Sequence, residues 1–517
     1  MVIGAPSRFA ILVAVLSAWA GAALAAPANL PDRAAIAGML ETEGALAIAG
    51  RPLDRPFLQA LYTKRDFQPI WSEERVAALR RALDDAPSHG IDAAPLPPAS
   101  PKAADRELLL TDAFLRYAAA LARGRVAPGD FESDWRIAAP AFDPAKLLEA
   151  ATTGDIVKLL ADLAPHEAAY ERLRLALAHY RELAKSPWPQ LKTSPLKPGD
   201  QSEAVLQLRD RLAAEGLLAP PDLDGDPGIY DESLKAAVSR FQETHGLTID
   251  GSAGRATLAA LNVSAAMRVK QIRWNLERWR SLPRINATTR VEVNVPAAMA
   301  VLYQEDQPAK VMKTIVGAVV HPTPVLRARM QSVLFNPPWN VPSSIIENEI
   351  RPALKKDPRY LQKGNYAYVE VNGGRQLVQL PGPKNALGQI KFEMPNPDDI
   401  YMHDTPDKRL FGQARRALSH GCVRVEDPRD FARLVLASPD WSLEAIDAAI
   451  AAKVTRSVPL PHTIPVYMLY WTAFVDSDGT IEFRDDLYGR DKRLAEALAA
   501  QDAMDHVAVA ANERGKK

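Results

Sequence analysis

The stretch RALSHGCVRVEDP, residues 416–428, holds the only cysteine among 517 residues. A thiol attacks an acyl carbon as the thiolate, so it needs a proton acceptor in hydrogen-bond reach and donors for the oxyanion. Two of the nine histidines lie close to it in sequence. His420 is two residues before the thiol, and side chains at i and i+2 of an extended or tightly turned segment can share a face. His403, in IYMHDTP, is 19 residues before it, across a loop long enough to bring two strands side by side. Gly421 lets the backbone turn sharply, so that its N–H and that of Cys422 can face a substrate. Arg424 can hold a carboxylate. The competing chemistry is zinc, with His403, His420 and Cys422 as ligands, but their spacing fits no zinc signature. HEAAY, 166–170, lacks the second histidine of H-E-x-x-H and reads as a helix surface.

Compartment bears on the thiol. Arg8 precedes an apolar run, Phe9–Ala25, that ends in Ala23-Leu24-Ala25 and gives way to APANLPDRA. This is the layout of a secretory signal peptide, residues 1–25, with an uncleaved anchor as the rival since the run is short for a span. Exported chains that rely on disulfides carry cysteines in pairs. A single cysteine forms no internal disulfide; it is either a small buried apolar residue or a thiol with a use.

Sixty-three basic residues balance 63 acidic ones, which argues against a nucleic-acid partner. The length suits about three domains. Residues 26–50, Ala-rich with scattered charges, read as a tether. Residues 51–190 read as a helical scaffold domain: Leu108, Leu109, Phe114, Tyr117 and Leu121 recur near the 3.6 period, as do Leu159, Leu160 and Leu163. PLPPASP (95–101) and DFESDW (130–135) interrupt it, and SPWPQLKTSP (186–195) reads as a linker.

Residues 195–265 form a unit with an internal echo. Val205, Leu208 and Leu212 share one helix face, and Leu234, Val238 and Phe241 share another, each helix following cap-forming residues. Gly199, Val205, Leu208 and Leu212, then Gly246, Leu247, Asp250, Gly251, Gly254, Thr257, Leu261 and Asn262, resemble the pattern of the three-helix peptidoglycan-binding domain. Most of that pattern is core and turns.

From Arg290 the periodicity changes. VEVNV, AVLYQ and VMKTIVGAVV read as strands, SSIIENEIRPAL and RDFARLVLA as helices, and YAYVEV and RQLVQL flank the hairpin signal Asn372-Gly373-Gly374. The fold class is multidomain α+β, with a mostly-β third domain at 290–440 and an extension at 441–517.

His403, a spacer and Ser419-His420-Gly421-Cys422 resemble the signature of the L,D-transpeptidase (YkuD-type) catalytic domain. Around them, Gly317 before HPTP, NPPWNVP at 336–342, PGPKNALGQIKF at 381–392 and WTAFVDSDGTIEFRDDLYG at 471–489 are similar to the larger Gram-negative members, with likeness from about residue 50 to 491. The resemblance implies that Cys422 is the nucleophile and His403 its base. Asp404 would orient the imidazole through its backbone carbonyl, and Gly421 and Cys422 would supply the oxyanion hole. Ser419 and His420 belong to the motif, His420 more as structure than as base. Arg424 stands where many smaller members carry Asn, so it holds either a substrate carboxylate or the loop. Trp339, beside prolines, reads as packing. The insertion at about 343–379 would be a cap that keeps water from a thioester.

No metal or cofactor is implied. The expected partners are peptidoglycan stem peptides and glycan, and proteins of cell-wall synthesis, in the periplasm; a membrane enters only if residues 9–25 stay attached. The implied reaction is a 3→3 cross-link with release of D-alanine. The rivals are water or a protein lysine as acceptor, giving an L,D-carboxypeptidase or protein–wall attachment, and a non-catalytic wall-binding scaffold.

Overall fold

The computed structural model describes residues 31–92, 96, 102–188, 190–218, 226–371 and 374–514. The apolar leader, all of PLPPASP but Leu96, and Asn372-Gly373 of the hairpin lie outside the described residues.

The stretch expected as a tether is largely folded. Asp32 caps a helix, Arg33–Glu41, by accepting from Ala34 N at 3.3 Å, and Leu46–Ile48 pairs with Arg51–Leu53. Ile36, Leu40, Leu46 and Ile48 are spaced so that they bury, which joins this segment to the scaffold core. That core surrounds the helix Ala103–Arg123, whose five periodic residues are all buried as expected. Glu107 is also buried there, and accepts from Ile70 N (2.6 Å), Trp71 N (3.3 Å) and the Tyr62 hydroxyl (2.8 Å). His166 and Glu167 precede the helix Ala168–Lys185 rather than lying on it, and Glu167 accepts from Ile285 N at 2.8 Å.

The three helices of the next unit, Glu203–Ala214, Glu232–Thr244 and Arg255–Leu261, close on Val205, Leu208, Leu212, Leu234, Val238 and Phe241. The segment before them is not a free linker. Trp188 lies under the Arg211 guanidinium at 3.7 Å, and Leu191 N donates to Asn262 at 2.7 Å. Helix Ala265–Arg280 then ties the chain together. Buried Asn275 exchanges hydrogen bonds with Thr472, and Trp279 stacks on Trp471 with centroids 4.7 Å apart.

The third domain is built on nine strands: β1 Arg290–Asn294, β2 Met299–Gln304, β3 Gln307–Gly317, β4 Leu326–Phe335, β5 Ile390–Glu393, β6 Met402–His403, β7 Ala417–Ser419, β8 Val423–Val425 and β9 Arg456–Leu469. Their order is β7-β3-β8-β6-β5-β4-β9-β1-β2, and β2 also pairs with β3. Alternation sends Val291, Val293, Ala300, Leu302, Ala328 and Met330 inward. β3 stops at Gly317, leaving Val319 and Val320 of the expected strand exposed in a turn.

The boundary expected at residue 440 is corrected. β9 sits inside the sheet, antiparallel to β4 and parallel to β1. Pro459, Pro461 and Pro465 hide it from a strand reading, because proline removes a ladder donor. The sheet accommodates them with a register shift between Pro459 and Ile464. The insertion forms its own small layer. Tyr366–Val371 and Gly374–Gln379 make the expected hairpin, and Trp339–Asn340 adds a third strand. Its core is Val341, Ile345, Ile350 and Leu377.

Candidate active site

β6 and β8 run parallel, with Met402 opposite Val423 and His403 opposite Arg424. A two-residue side-chain period then decides which groups meet. Met402, Val423 and Val425 are fully buried toward the core. Tyr401, His403, Cys422 and Arg424 therefore share the other face, joined by Lys391, which is paired with His403 from β5. Lys391 Nζ lies 4.4 Å from the Tyr401 ring centroid, and the Tyr401 and His403 rings are 5.5 Å apart, edge to face.

His403 is buried, and its Nδ1 lies 2.5 Å from the Asp404 carbonyl oxygen. A carbonyl only accepts, so Nδ1 carries the hydrogen and Nε2 is left as the basic nitrogen. The Asp404 carboxylate is held separately, by Gln389 N at 2.8 Å and Lys408 Nζ at 2.6 Å. Gly388, at φ +63°, makes room for it, since a Cβ there would stand 2.3 Å from Oδ2.

Burial pushes the His403 imidazole down to about 3, with the charges of Arg424 and Lys391 acting the same way and the Asp404 carbonyl opposing. Burial also pushes the Cys422 thiol up, against hydrogen bonds from the Tyr401 main chain and side chain and the charges of Lys391 and Arg424. The resting pair is a neutral thiol and a neutral imidazole. The thiol donates to the Asp399 carbonyl at 3.7 Å.

The turn before Cys422 is braced from inside. Gly421 adopts φ +107°, which a side chain would resist. The Ser419 hydroxyl donates to the Cys422 carbonyl (2.5 Å) and accepts the Gly421 N–H (3.2 Å). Of the two N–H groups expected to face an oxyanion, that of Gly421 is thus engaged within the turn. The same twist sends His420 away from Cys422. It stacks on His321 with centroids 4.7 Å apart and pairs with Glu349 of the cap at 2.6 Å.

The turn is also braced from the scaffold. The Thr323 hydroxyl donates to the Gly421 carbonyl at 2.7 Å, and Arg490 donates to the Thr323 carbonyl at 3.2 Å. Arg490 is ion-paired with Glu132 at 2.8 Å, both side chains being almost wholly buried. Beside the thiol, Arg136 clamps Asp398, with Nε 3.0 Å from the carboxylate. Main-chain bonds between Asp134, Arg136 and Val325 complete the seam.

Sequence reasoning missed Tyr401, although its place two residues before His403, at the entry to β6, was the available signal. It also missed Glu132 and Arg136, which it left in or beside a loop, and it read as packing Trp339, whose side chain lies beside the Tyr401 hydroxyl.

Residues 288–456 match the family model of the L,D-transpeptidase catalytic domain (YkuD), residues 56–177 that of a scaffold domain, and residues 201–261 that of a "Putative peptidoglycan binding domain". A Haemophilus influenzae protein named "Putative L,D-transpeptidase" is 32% identical over 241 residues, covering 44% of this chain and 49% of its own length. The N-acetylmuramoyl-L-alanine amidase CwlM of Mycobacterium tuberculosis is 39% identical over 72 residues, 13% of this chain and 18% of that protein. The chain thus spans about half of the first relative and under a fifth of the second. Among solved structures, an L,D-transpeptidase (residues 123–326) from Xylanimonas cellulosilytica is similar at 15% identity, covering 54% of this chain and 98% of its own, with a TM-score of 0.18. The Ldtfm-avibactam carbamoyl enzyme is similar at 11% identity over 57% of this chain and 98% of its own, also with a TM-score of 0.18.

Proposed function

We propose that this chain, which joins a match to the L,D-transpeptidase catalytic domain at residues 288–456 to a match to a peptidoglycan-binding domain at 201–261, is an exported cysteine L,D-transpeptidase of the cell wall. The observation that carries this reading is the placing of His403 and Cys422 on one face of paired strands, with the imidazole tautomer fixed by the Asp404 carbonyl.

In this reading Cys422 Sγ attacks the carbonyl of the third residue of a stem tetrapeptide while His403 Nε2 takes the thiol proton. The oxyanion faces the Cys422 N–H, and that of Gly421 once it gives up its bond to Ser419. The C–N bond breaks, the departing amine of D-alanine takes the proton, and a thioester remains. The amine of a neighbouring stem's third residue then attacks, His403 receives its proton, and a 3→3 cross-link forms with the thiol restored. The peptidoglycan-binding unit raises the local concentration of wall near the site, and the cap keeps water from the thioester. Residues 1–25 direct the chain to the periplasm.

The test is the intact mass of the purified protein after incubation with a carbapenem, beside a Cys422→Ala control, followed by product analysis with disaccharide-tetrapeptide. A stoichiometric adduct on the native protein alone, then cross-linked dimers and free D-alanine, is the expected result. Tripeptide without dimers would make it a carboxypeptidase. No adduct on folded, reduced protein would sink the acyl-enzyme and leave a wall-binding scaffold.

A further inference from the structure

A cavity of about 520 Å3 opens between the cap and the catalytic sheet, lined among others by Tyr360, Lys363, Lys384, Thr405, Asp407 and Arg424. Arg424 is the member nearest the chemistry in sequence. It lies two residues past Cys422 on the same strand face, about 7 Å along the chain. Its side chain is half-buried, and Nε is shut off from solvent with no acceptor.

The neighbouring charges are occupied or out of reach. Asp407 shares the cavity but stands beyond ion-pair distance from Arg424, and its carboxylate takes Arg409 Nε at 3.2 Å. Lys363 is paired with Asp357 at 2.6 Å, and Lys384 donates to the Lys363 carbonyl at 3.0 Å. The lysines thus give the opening a positive rim, while no described carboxylate pairs with the guanidinium. A planar fork of N–H donors, partly desolvated and without an acceptor, is complementary to a carboxylate.

We propose that this cavity is a carboxylate subsite of the catalytic cleft, with Arg424 as the principal donor and Lys363 and Lys384 as its rim. The inference rests on the stem-peptide reading above and assigns where that peptide is gripped. Two carboxylates of a stem lie close enough to the attacked carbonyl: that of the leaving D-alanine and that on the side chain of a diaminodicarboxylic third residue. Either one presents the same chemistry to the guanidinium.

The test uses the full chain with Cys422→Ala, so that binding is read without turnover. Calorimetry measures its affinity for disaccharide-tetrapeptide with both carboxylates free, with the terminal one amidated, and with the side-chain one amidated. Arg424→Gln is expected to weaken binding of the free acid tenfold or more, and Arg424→Lys to restore part of it. The amide that removes the contacted carboxylate binds weakly from the start and loses nothing further on Arg424→Gln, which identifies the source. Equal losses for all three ligands would make Arg424 a loop anchor and overturn the proposal, as would unchanged affinity for the free acid or no binding of any stem. Product formation by the native enzyme is scored separately. If it makes no cross-links while the Cys422→Ala form still distinguishes acid from amide, the reaction fails and the subsite stands.

Discussion

Cys422 and His403 carry no charge at rest, because burial penalises thiolate and imidazolium alike. In the proposed reaction the thiolate is therefore made during attack rather than stored as an ion pair. Alkylation of Cys422 by iodoacetamide should rise about tenfold per pH unit from pH 6 to at least pH 9, as a raised thiol demands. A rate already level at pH 6 would mean a preformed thiolate and contradict this picture. Cys422 and His403 were legible as a candidate pair in the sequence because SHGC and the distant histidine form a pattern. Tyr401 was not, since its role follows from strand register and a tyrosine near a motif is unremarkable by itself. The engagement of the Gly421 N–H was hidden for a similar reason, as no spacing discloses that the Ser419 hydroxyl turns inward to accept it.

Among the elements, the strands at 290–317 and the helices at 103–123 and 428–436 followed from periodicity alone. β9 did not, because its three prolines argue locally against a strand that the sheet nonetheless holds on both sides. The cap was legible as an insertion, yet its contact with the motif was not: Glu349 comes from the π-turn Ile346–Ile350 and reaches His420 across the cleft. Both side chains are about half exposed, so the pair adds at most a few tenths of a kcal/mol to stability. Its effect should appear in motion. Glu349→Gln should leave the melting temperature within about 1 °C while amides at 343–363 exchange up to about twofold faster by mass spectrometry. Unchanged exchange would show that the cap is held by its other contacts alone.

At the scale of the molecule, each domain keeps one buried neutral histidine. His89 in the scaffold is held down to about 4, mainly by burial and then by Arg174 and Arg280. His245, stacked on Phe241 in the peptidoglycan-binding unit, is lowered well below its usual value by burial, and His403 is held at about 3. Between about pH 6.5 and these values the unfolded chain binds protons that the folded chain refuses. The stabilisation is thus complete above pH 6.5 and is lost as pH falls, by on the order of 2 kcal/mol for His403 alone at pH 5. Calorimetric melting should show all three units weakening together from pH 7 to pH 5. A transition unmoved across that range would mean these rings accept protons when folded.

The brace behind the catalytic turn also sets an order of events. Glu132 comes from the first third of the chain and Arg490 from its last thirty residues, and Thr323 carries their hold to the Gly421 carbonyl. A chain emerging N-terminus first presents Cys422 well before Arg490 exists to secure it. The turn that holds Cys422 settles last, when Glu132 and Arg490 have met, and a chain clipped between them loses the brace.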